Sequence, residues 1–525
     1  IDGIPCIANK ELLNDTLRDE WGFDGTMVSD YNGIEELEQT HKMVPTLSEA
    51  AATALECGVD VELPSTVGYG DPLKEAVESG RIAMSVIDKS VARILGQKFE
   101  LGLFDDPFVD EAGVSETEAD RAVALDAARK SLVLLRNEGA VLPLADSTST
   151  IAVIGPSSDD ARLFLGDYSY AAALDLLREA VGRGHAFIGE MDGEVPLVDL
   201  SHIPTVLDSI NTRAGDGVTV LHEVGCEINS EDTSRIAAAA EAASEADVAV
   251  LVVGGLSGMH DEATTGEFRD RSDITLPGVQ QDLVDAVVAT GTPVVMVILS
   301  GRPLSPDLDG VSGLIHAWLP GDAGGDAIAG ALFGDFSPGG KLPITVPRNV
   351  GQVPIYHGHK PTGGRSRLKG DYVDSSVKPL FGFGFGLSYT TFGFTEYELE
   401  SHEVPTDGTV RLSVKVTNTG DVAGDEVLQV YARREAASLT RPVRELVGFK
   451  RVGLDPGESA TVSFAIPADM FGFVGRDMAY QVEPGDVKLL IGTQALDFDA
   501  QKTVRLTGET IMSPERSFFS EVTVS

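Results

Sequence analysis

Two stretches of this chain, Val248-Ala-Val-Leu-Val-Val253 and Val294-Val-Met-Val-Ile-Leu299, contain no polar side chain at all. A strand with one wet face would alternate; an unbroken apolar run has to be covered on both sides. Further apolar strand candidates occur at 132–135, 151–154, 218–221 and 314–318, and helical patterns intervene at 234–246 and 280–289. The pattern predicts an open, mostly parallel sheet within an α/β domain over 122–347. The segment from 159 to 210 reads as a more irregular insertion containing Gly166-Asp167-Tyr168-Ser169-Tyr170.

The segment before it, 1–106, alternates in the same sense. A helix is expected over 12–21, with Leu13, Leu17 and Trp21 on one face, and a strand over 26–29. An Ala-rich helix over 48–57 leads into a short strand, Gly58-Val-Asp-Val-Glu-Leu63, stopped by Pro64. Helices follow at 72–79 and 86–99. Such alternation reads as βα units of a parallel sheet or barrel. A whole (β/α)8 barrel needs roughly 200–250 residues, and only about two βα units fit here. Residues 107–121 read as a linker.

Past a Gly-rich connector at 348–390, the period changes. Strand candidates at 410–417, 426–432, 460–466 and 487–491 alternate apolar and polar, with turn signals at Asn418-Thr-Gly420 and Pro456-Gly457. The stretch 391–525 is therefore expected to be an all-β sandwich of immunoglobulin or fibronectin type III shape.

Charge narrows the partners. With 82 acidic against 40 basic residues, the formal charge is −42. That field repels nucleic acid phosphates and anionic membranes, so no nucleic acid and no membrane partner is expected. No window approaches the ~18 uninterrupted apolar residues of a membrane span. Three scattered cysteines, Cys6, Cys57 and Cys226, form no Cys-x-x-Cys pair, and the nine histidines form no metal-binding array. His357-Gly-His359 reads as a solvated pair in a loop. No metal or organic cofactor is expected.

Two acidic positions carry chemistry. In Gly22-Phe-Asp-Gly-Thr-Met-Val-Ser-Asp-Tyr31, a strand-like run stops at Asp30, followed by the aromatic Tyr31. Carboxylates at the C-terminal ends of strands are where α/β enzymes keep their reactive groups. In Thr265-Gly-Glu-Phe-Arg-Asp-Arg-Ser-Asp273, Glu267 sits in a Gly-flanked loop after the 248–253 strand, on the edge where parallel sheets place their sites. Glu262 is the nearest alternative. Arg271 is expected to orient the loop by ion pairing, and Asp60 and Glu62 either to support the residues that touch the substrate or to be structural.

Taken in order, these segments resemble family 3 glycoside hydrolases of the three-domain β-glucosidase/β-xylosidase type. The likeness rests on Ile1-Asp-Gly-Ile-Pro5, on the run ending at Asp30-Tyr31, on Gly58–Glu62 and on Gly102-Leu-Phe104. It continues through the Glu267 loop and Leu276-Pro-Gly-Val-Gln280 to Ser300-Gly-Arg-Pro303, Gly339-Gly-Lys-Leu-Pro343 and Phe383-Gly-Phe-Gly-Leu-Ser-Tyr389. The Gly166–Tyr170 motif and the Gly363-Gly-Arg-Ser366 connector look like those of bacterial and archaeal members. The resemblance implies Asp30 as nucleophile and Glu267 as general acid/base; next to the nucleophile, the aromatic Tyr31 reads as a subsite platform for a sugar ring or, equally, as a core side chain. It also implies an exo-acting retaining β-glycosidase for terminal β-D-glucosyl or β-D-xylosyl residues. The first six barrel strands expected of that family, with the sugar-gripping Asp, Arg and Lys-His pair they carry, have no counterpart here. The chain is thus expected to be the C-terminal portion of a longer enzyme. Location is left open, the cytoplasm slightly ahead of export.

The expected partner is a β-linked oligosaccharide or glycoside, with a homodimer left open. Shorter N-acetylglucosaminidases of the same family place a His-Asp acid/base in the barrel; the Glu-bearing loop favours the glucosidase/xylosidase branch. Other classes fit less well. Neither G-x-G-x-x-G nor G-x-x-x-x-G-K-[ST] occurs, which counts against phosphate cradling. Ser257 is not in a G-x-S-x-G elbow, which counts against serine hydrolysis. A non-catalytic carbohydrate-binding or interaction fragment is the alternative the sandwich permits.

The charge generates one test. A surface at −42 repels itself, and salt screens that repulsion. The charge also suits a protein that works at high salt, in which case the thermal unfolding midpoint should rise from low to molar KCl; a flat series would remove that reading.

Overall fold

The computed structural model describes residues 2–109, 117–182, 195–361, 370–512 and 515–525. The chain divides into two compact units, Ile1–Ser115 and Glu116–Ser525.

In the first unit, a π-type helix over Glu11–Glu20 precedes strand β1, Val28–Tyr31. Helices α1 (Gly33–Gln39) and α2 (Leu47–Glu56), strand β2 (Val61–Leu63) and helices α3 (Asp71–Glu78) and α4 (Met84–Glu100) follow. β1 and β2 pair in parallel, with Val28 opposite Val61 and Tyr31 opposite Leu63. The buried Ala50, Ala51, Ala52 and Ala54 give α2 a small-residue face against α1 and α3. Ile34, Leu37, Leu55 and Val59 complete this core. The strand begins two residues later than the apolar run suggests, which puts Asp30 within β1. Met27 instead uses its carbonyl to accept from the backbone N–H groups of Asp60 and Val61.

Asp60 organises this unit. It is 5% exposed, and its carboxylate meets Arg18 Nη2 at 2.9 Å and Arg93 Nη2 at 3.0 Å. It also accepts from the Met27 N–H at 3.0 Å. Arg18 donates onward to the carbonyls of Gly25 and Gly58, so the turn before β1 hangs on the same guanidinium. Glu62 accepts from the Gly68 and Tyr69 N–H groups and closes the turn after β2. Both acids are structural.

The second unit opens with helix α5 (Glu118–Ser131) and strands β3 (Val133–Asn137) and β4 (Thr150–Ile154). Helices α6 (Tyr170–Gly182) and α7 (Val206–Ala214) lead to β5 (Thr219–Glu223), α8 (Ile236–Ser244) and β6 (Val248–Gly254). Then come α9 (Gln280–Val288), β7 (Val294–Leu299), β8 (Val311–Trp318) and α10 (Gly324–Phe333). The six strands lie in the order β3-β8-β7-β6-β4-β5. All neighbours are parallel except β3, which runs antiparallel to β8 along one edge. The two apolar runs are β6 and β7, and every residue of each is buried. Val248, Val250 and Val252 face a core shared with α5, α7 and α10, while Ala249, Leu251 and Val253 face one shared with α8 and α9. Coverage on both faces is why no polar residue interrupts them.

The same unit continues into a β-sandwich. A five-stranded sheet holds Gly424–Arg434 and Gly485–Gly492, and a four-stranded sheet holds Thr409–Asn418 and Ser459–Pro467. Val410, Leu412, Val414 and Val416 pack against Leu428, Val430, Leu489 and Ile491 between them. The motif residues 339–343 and 383–389 form the seam with the α/β layer. Gly340 and Gly386 allow close approach: a Cβ would lie 2.2 Å from the Leu132 carbonyl oxygen in the first case and 2.1 Å from that of Gly340 in the second. Lys341 Nζ reaches Glu426 Oε1 at 2.7 Å with both side chains about nine-tenths buried, and donates to the Gly386 carbonyl as well. His357 does not sit in solvent as its loop suggests. It stacks on Phe383 at 4.2 Å beside Tyr431, and burial pushes it down to about 4.

Two outcomes are expected. Lys341→Met leaves Glu426 as an uncompensated buried charge, so unfolding free energy should fall by about 3–5 kcal/mol in urea titrations. Adding Glu426→Leu should recover most of that loss. His316 on β8 is buried and stacked on Trp318, and burial lowers it from 6.5 to about 4. Its neutral form is the native one, so its contribution is complete above pH 6.5 and is lost as pH falls towards about 4. His316→Asn should flatten that part of the stability–pH curve.

Candidate active site

The Glu267 loop begins where β6 stops. Gly254 has φ 153°, and a Cβ there would lie 1.8 Å from the Leu299 carbonyl oxygen. Only glycine fits so close to the neighbouring strand. The fully buried Gln280 side chain then satisfies the strand end. Its Oε1 accepts from the Gly254 N–H, and its Nε2 donates to the carbonyls of Gly254 and Ile228.

Four arginines shape the loop between these points. Arg162 donates to the Ser257 carbonyl at 2.9 Å, and Arg269 to the Asp261 carbonyl at 2.6 Å. Arg302 holds the Thr265 hydroxyl and pairs with Asp270 at 2.8 Å. Arg271 works mainly through the Thr275 and Leu276 carbonyls rather than by the expected ion pairing, its charge being a lesser influence on Asp273.

Glu267 stands at the tip of this frame. Before it, Gly266 has φ 141°, and a Cβ would come within 2.2 Å of the Gly258 carbonyl oxygen. After it, Phe268 holds a left-handed φ of 65° and is 79% exposed. The Glu267 carboxylate is exposed; Oε2 accepts from the Tyr168 hydroxyl, and the Glu267 N–H donates to Asp167 Oδ2 at 2.9 Å. Asp167 and Tyr168 follow β4, the direct neighbour of β6, so the C-terminal ends of adjacent strands supply all three residues. Glu262 lies elsewhere, lining a cavity of about 290 Å³ with Asp175, Arg178, Glu179, His260 and Asp261.

Asp30 lies in the first unit. It is exposed at the end of β1, and its Oδ1 accepts from the Tyr31 N–H at 2.7 Å. Tyr31 is 59% exposed, which argues against a role in the core. Ser29 turns inward, and its hydroxyl accepts from the Leu63 N–H, pinning β1 to β2 beside the acid. Of the connector, residues 362–369 lie outside the described residues.

Arg18, Arg93 and Arg162 escaped the sequence reading, and Arg302 and Gln280 lie in motifs that it quotes without assigning them a role. Asp167 and Tyr168 belong to a motif the sequence singles out, but nothing there links them to a glutamate about 100 residues on. Among the described residues, no group of three or more His, Cys, Asp or Glu is arranged to hold a metal ion, and no helix is long and apolar enough to cross a membrane.

Three family models match in order: the glycosyl hydrolase family 3 N-terminal domain over residues 1–96, its C-terminal domain over 132–389, and a fibronectin type III-like domain over 426–495. A β-xylosidase of Formosa agariphila is 38% identical, aligned over 96% of this chain and 68% of its own length. A periplasmic β-glucosidase of Salmonella typhimurium is 36% identical over 94% of this chain and 65% of its own length. A solved β-glucosidase structure from Erythrobacter marinus superimposes with a TM-score of 0.83 at 34% identity, covering 97% of this chain and 66% of that one. The chain thus spans about two thirds of the length of these relatives. Its barrel-type βα units, its α/β sandwich and its fibronectin type III-like sandwich follow the order of the matched domains, and the chain belongs to glycosyl hydrolase family 3.

Proposed function

We propose that this chain carries both reactive carboxyl groups of an exo-acting, retaining β-glycosidase for terminal non-reducing β-D-glucosyl or β-D-xylosyl residues. Asp30 is the nucleophile and Glu267 the general acid/base. In the first step the Asp30 carboxylate attacks the anomeric carbon, the bond to the leaving oxygen breaks, and Glu267 gives that oxygen its proton. In the second, Glu267 takes a proton from water, the hydroxyl oxygen bonds to the anomeric carbon, and the ester to Asp30 breaks. Two displacements return the original anomeric configuration. Tyr31 offers an exposed aromatic face for the C–H side of a pyranose.

The observation that carries this reading is the setting of Glu267: an exposed carboxylate on a loop tied down by Arg162 and Arg302, at the C-terminal edge of a parallel sheet. The names of the relatives, β-xylosidase and β-glucosidase, support the substrate class.

Aryl β-glucosides and β-xylosides of graded leaving-group ability test it with the chain 1–525. Glu267→Gln should lower kcat/KM for poor leaving groups by about 10²–10⁴-fold, while for 2,4-dinitrophenyl glycosides azide should restore kcat, with a β-glycosyl azide as product. Asp30→Asn should abolish turnover of every substrate, and Glu262→Gln should leave it intact. Equal losses for Glu262 and Glu267 would overturn the assignment. Binding of laminaribiose by calorimetry without turnover of any aryl glycoside would favour the non-catalytic, carbohydrate-binding alternative.

A further inference from the structure

We propose that Tyr168 and Asp167 are positioning residues that decide which oxygen of Glu267 carries the transferable proton; this rests on the acid/base reading of Glu267. Two consecutive side chains grip the same residue from two directions. Asp167 holds its backbone N–H at 2.9 Å, and the Tyr168 hydroxyl donates to Oε2.

The chemistry follows from donor and acceptor capacity. A carboxylate oxygen that accepts a phenolic O–H is a poor place for a second proton on the same face, so protonation falls on Oε1. The proton is then directed away from Tyr168, and the carboxyl cannot rotate without breaking that bond. Asp167 in its ionised form only accepts, and it accepts here from the peptide N–H of Glu267. That contact sets the turn on which the carboxyl stands, between Gly266 and the left-handed Phe268.

The pair is itself well anchored. Ser169 donates from both its N–H and its hydroxyl to the Gly166 carbonyl, and its Oγ accepts from the Ala172 N–H at the start of α6. Asp167 and Tyr168 therefore sit on a tight turn at the head of a helix. Tyr168 is 77% exposed, so its hydroxyl is not explained by core packing, and deleting it should leave the fold intact. Small displacements of a proton donor have large kinetic effects.

Two measurements on the chain 1–525 test the proposal. With Tyr168→Phe, kcat should fall about 10-fold for glycosides with poor leaving groups, the scale of one charge-assisted hydrogen bond, with KM unchanged. For 2,4-dinitrophenyl glycosides, whose departure needs no proton, kcat/KM should stay the same. An equal loss across leaving groups, or no loss at all, overturns the role of Tyr168. With Asp167→Ala, amide hydrogen exchange at Glu267 should rise about 10-fold with unfolding midpoints unchanged; unaltered exchange overturns the role of Asp167, whether or not the chain turns over. Turnover that survives Glu267→Gln for every substrate would instead strike the acid/base reading, and this inference with it.

Discussion

The amide of Gln280 decides where β6 ends, and the candidate site depends on that point. Burying a strand on both faces leaves its last N–H and C=O without water. The Gln280 side chain supplies one acceptor and two donors at that spot, bonding both backbone groups of Gly254 and the carbonyl of Ile228. The chain can therefore leave the sheet abruptly and carry a polar loop outward. Gly254 is the geometric counterpart, because any side chain there would strike Leu299.

The first unit solves the same problem with charge. There Asp60, buried between Arg18 and Arg93, fixes the entry to β1 rather than its exit. Through Arg18 it also ties down the turn at Gly25, upstream of Asp30. In each unit the exposed carboxylate is placed by a buried polar residue from a different element. The cost of burying those polar groups is offset by complete pairing, which is why a single-sided substitution would be damaging.

Legibility in the sequence tracked burial. β7 appeared with its exact limits because Val294–Leu299 has one physical solution, and the Ala-rich α2 was placed to within a residue or so. Helix α1 was missed: at seven residues, starting after a left-handed Asn32, it is too short for a period to show. β1 was placed two residues early because apolar Met27 invites pairing, whereas its carbonyl serves the N–H groups before β2. At the site, Asp30 and Glu267 stood out as acids after strands, but their supports did not. Arginines that bond to carbonyls leave no mark in a sequence, since every residue has a carbonyl. His357 shows the converse error: a histidine in a Gly/Pro-rich loop looks wet until the aromatic rings that cover it, one of them more than 70 residues away, are in place.

The arginine clasps around the Glu267 loop mostly end on peptide oxygens, not on acids. A peptide oxygen gains no proton in any ordinary buffer, so these fastenings keep their strength when acidity changes. A loop laced by carboxylates would slacken on acidification, just when a proton donor must hold its aim. Here the scaffold is largely decoupled from the proton traffic of the residue it presents, and acidity can alter the charge of the tip without loosening the frame beneath it.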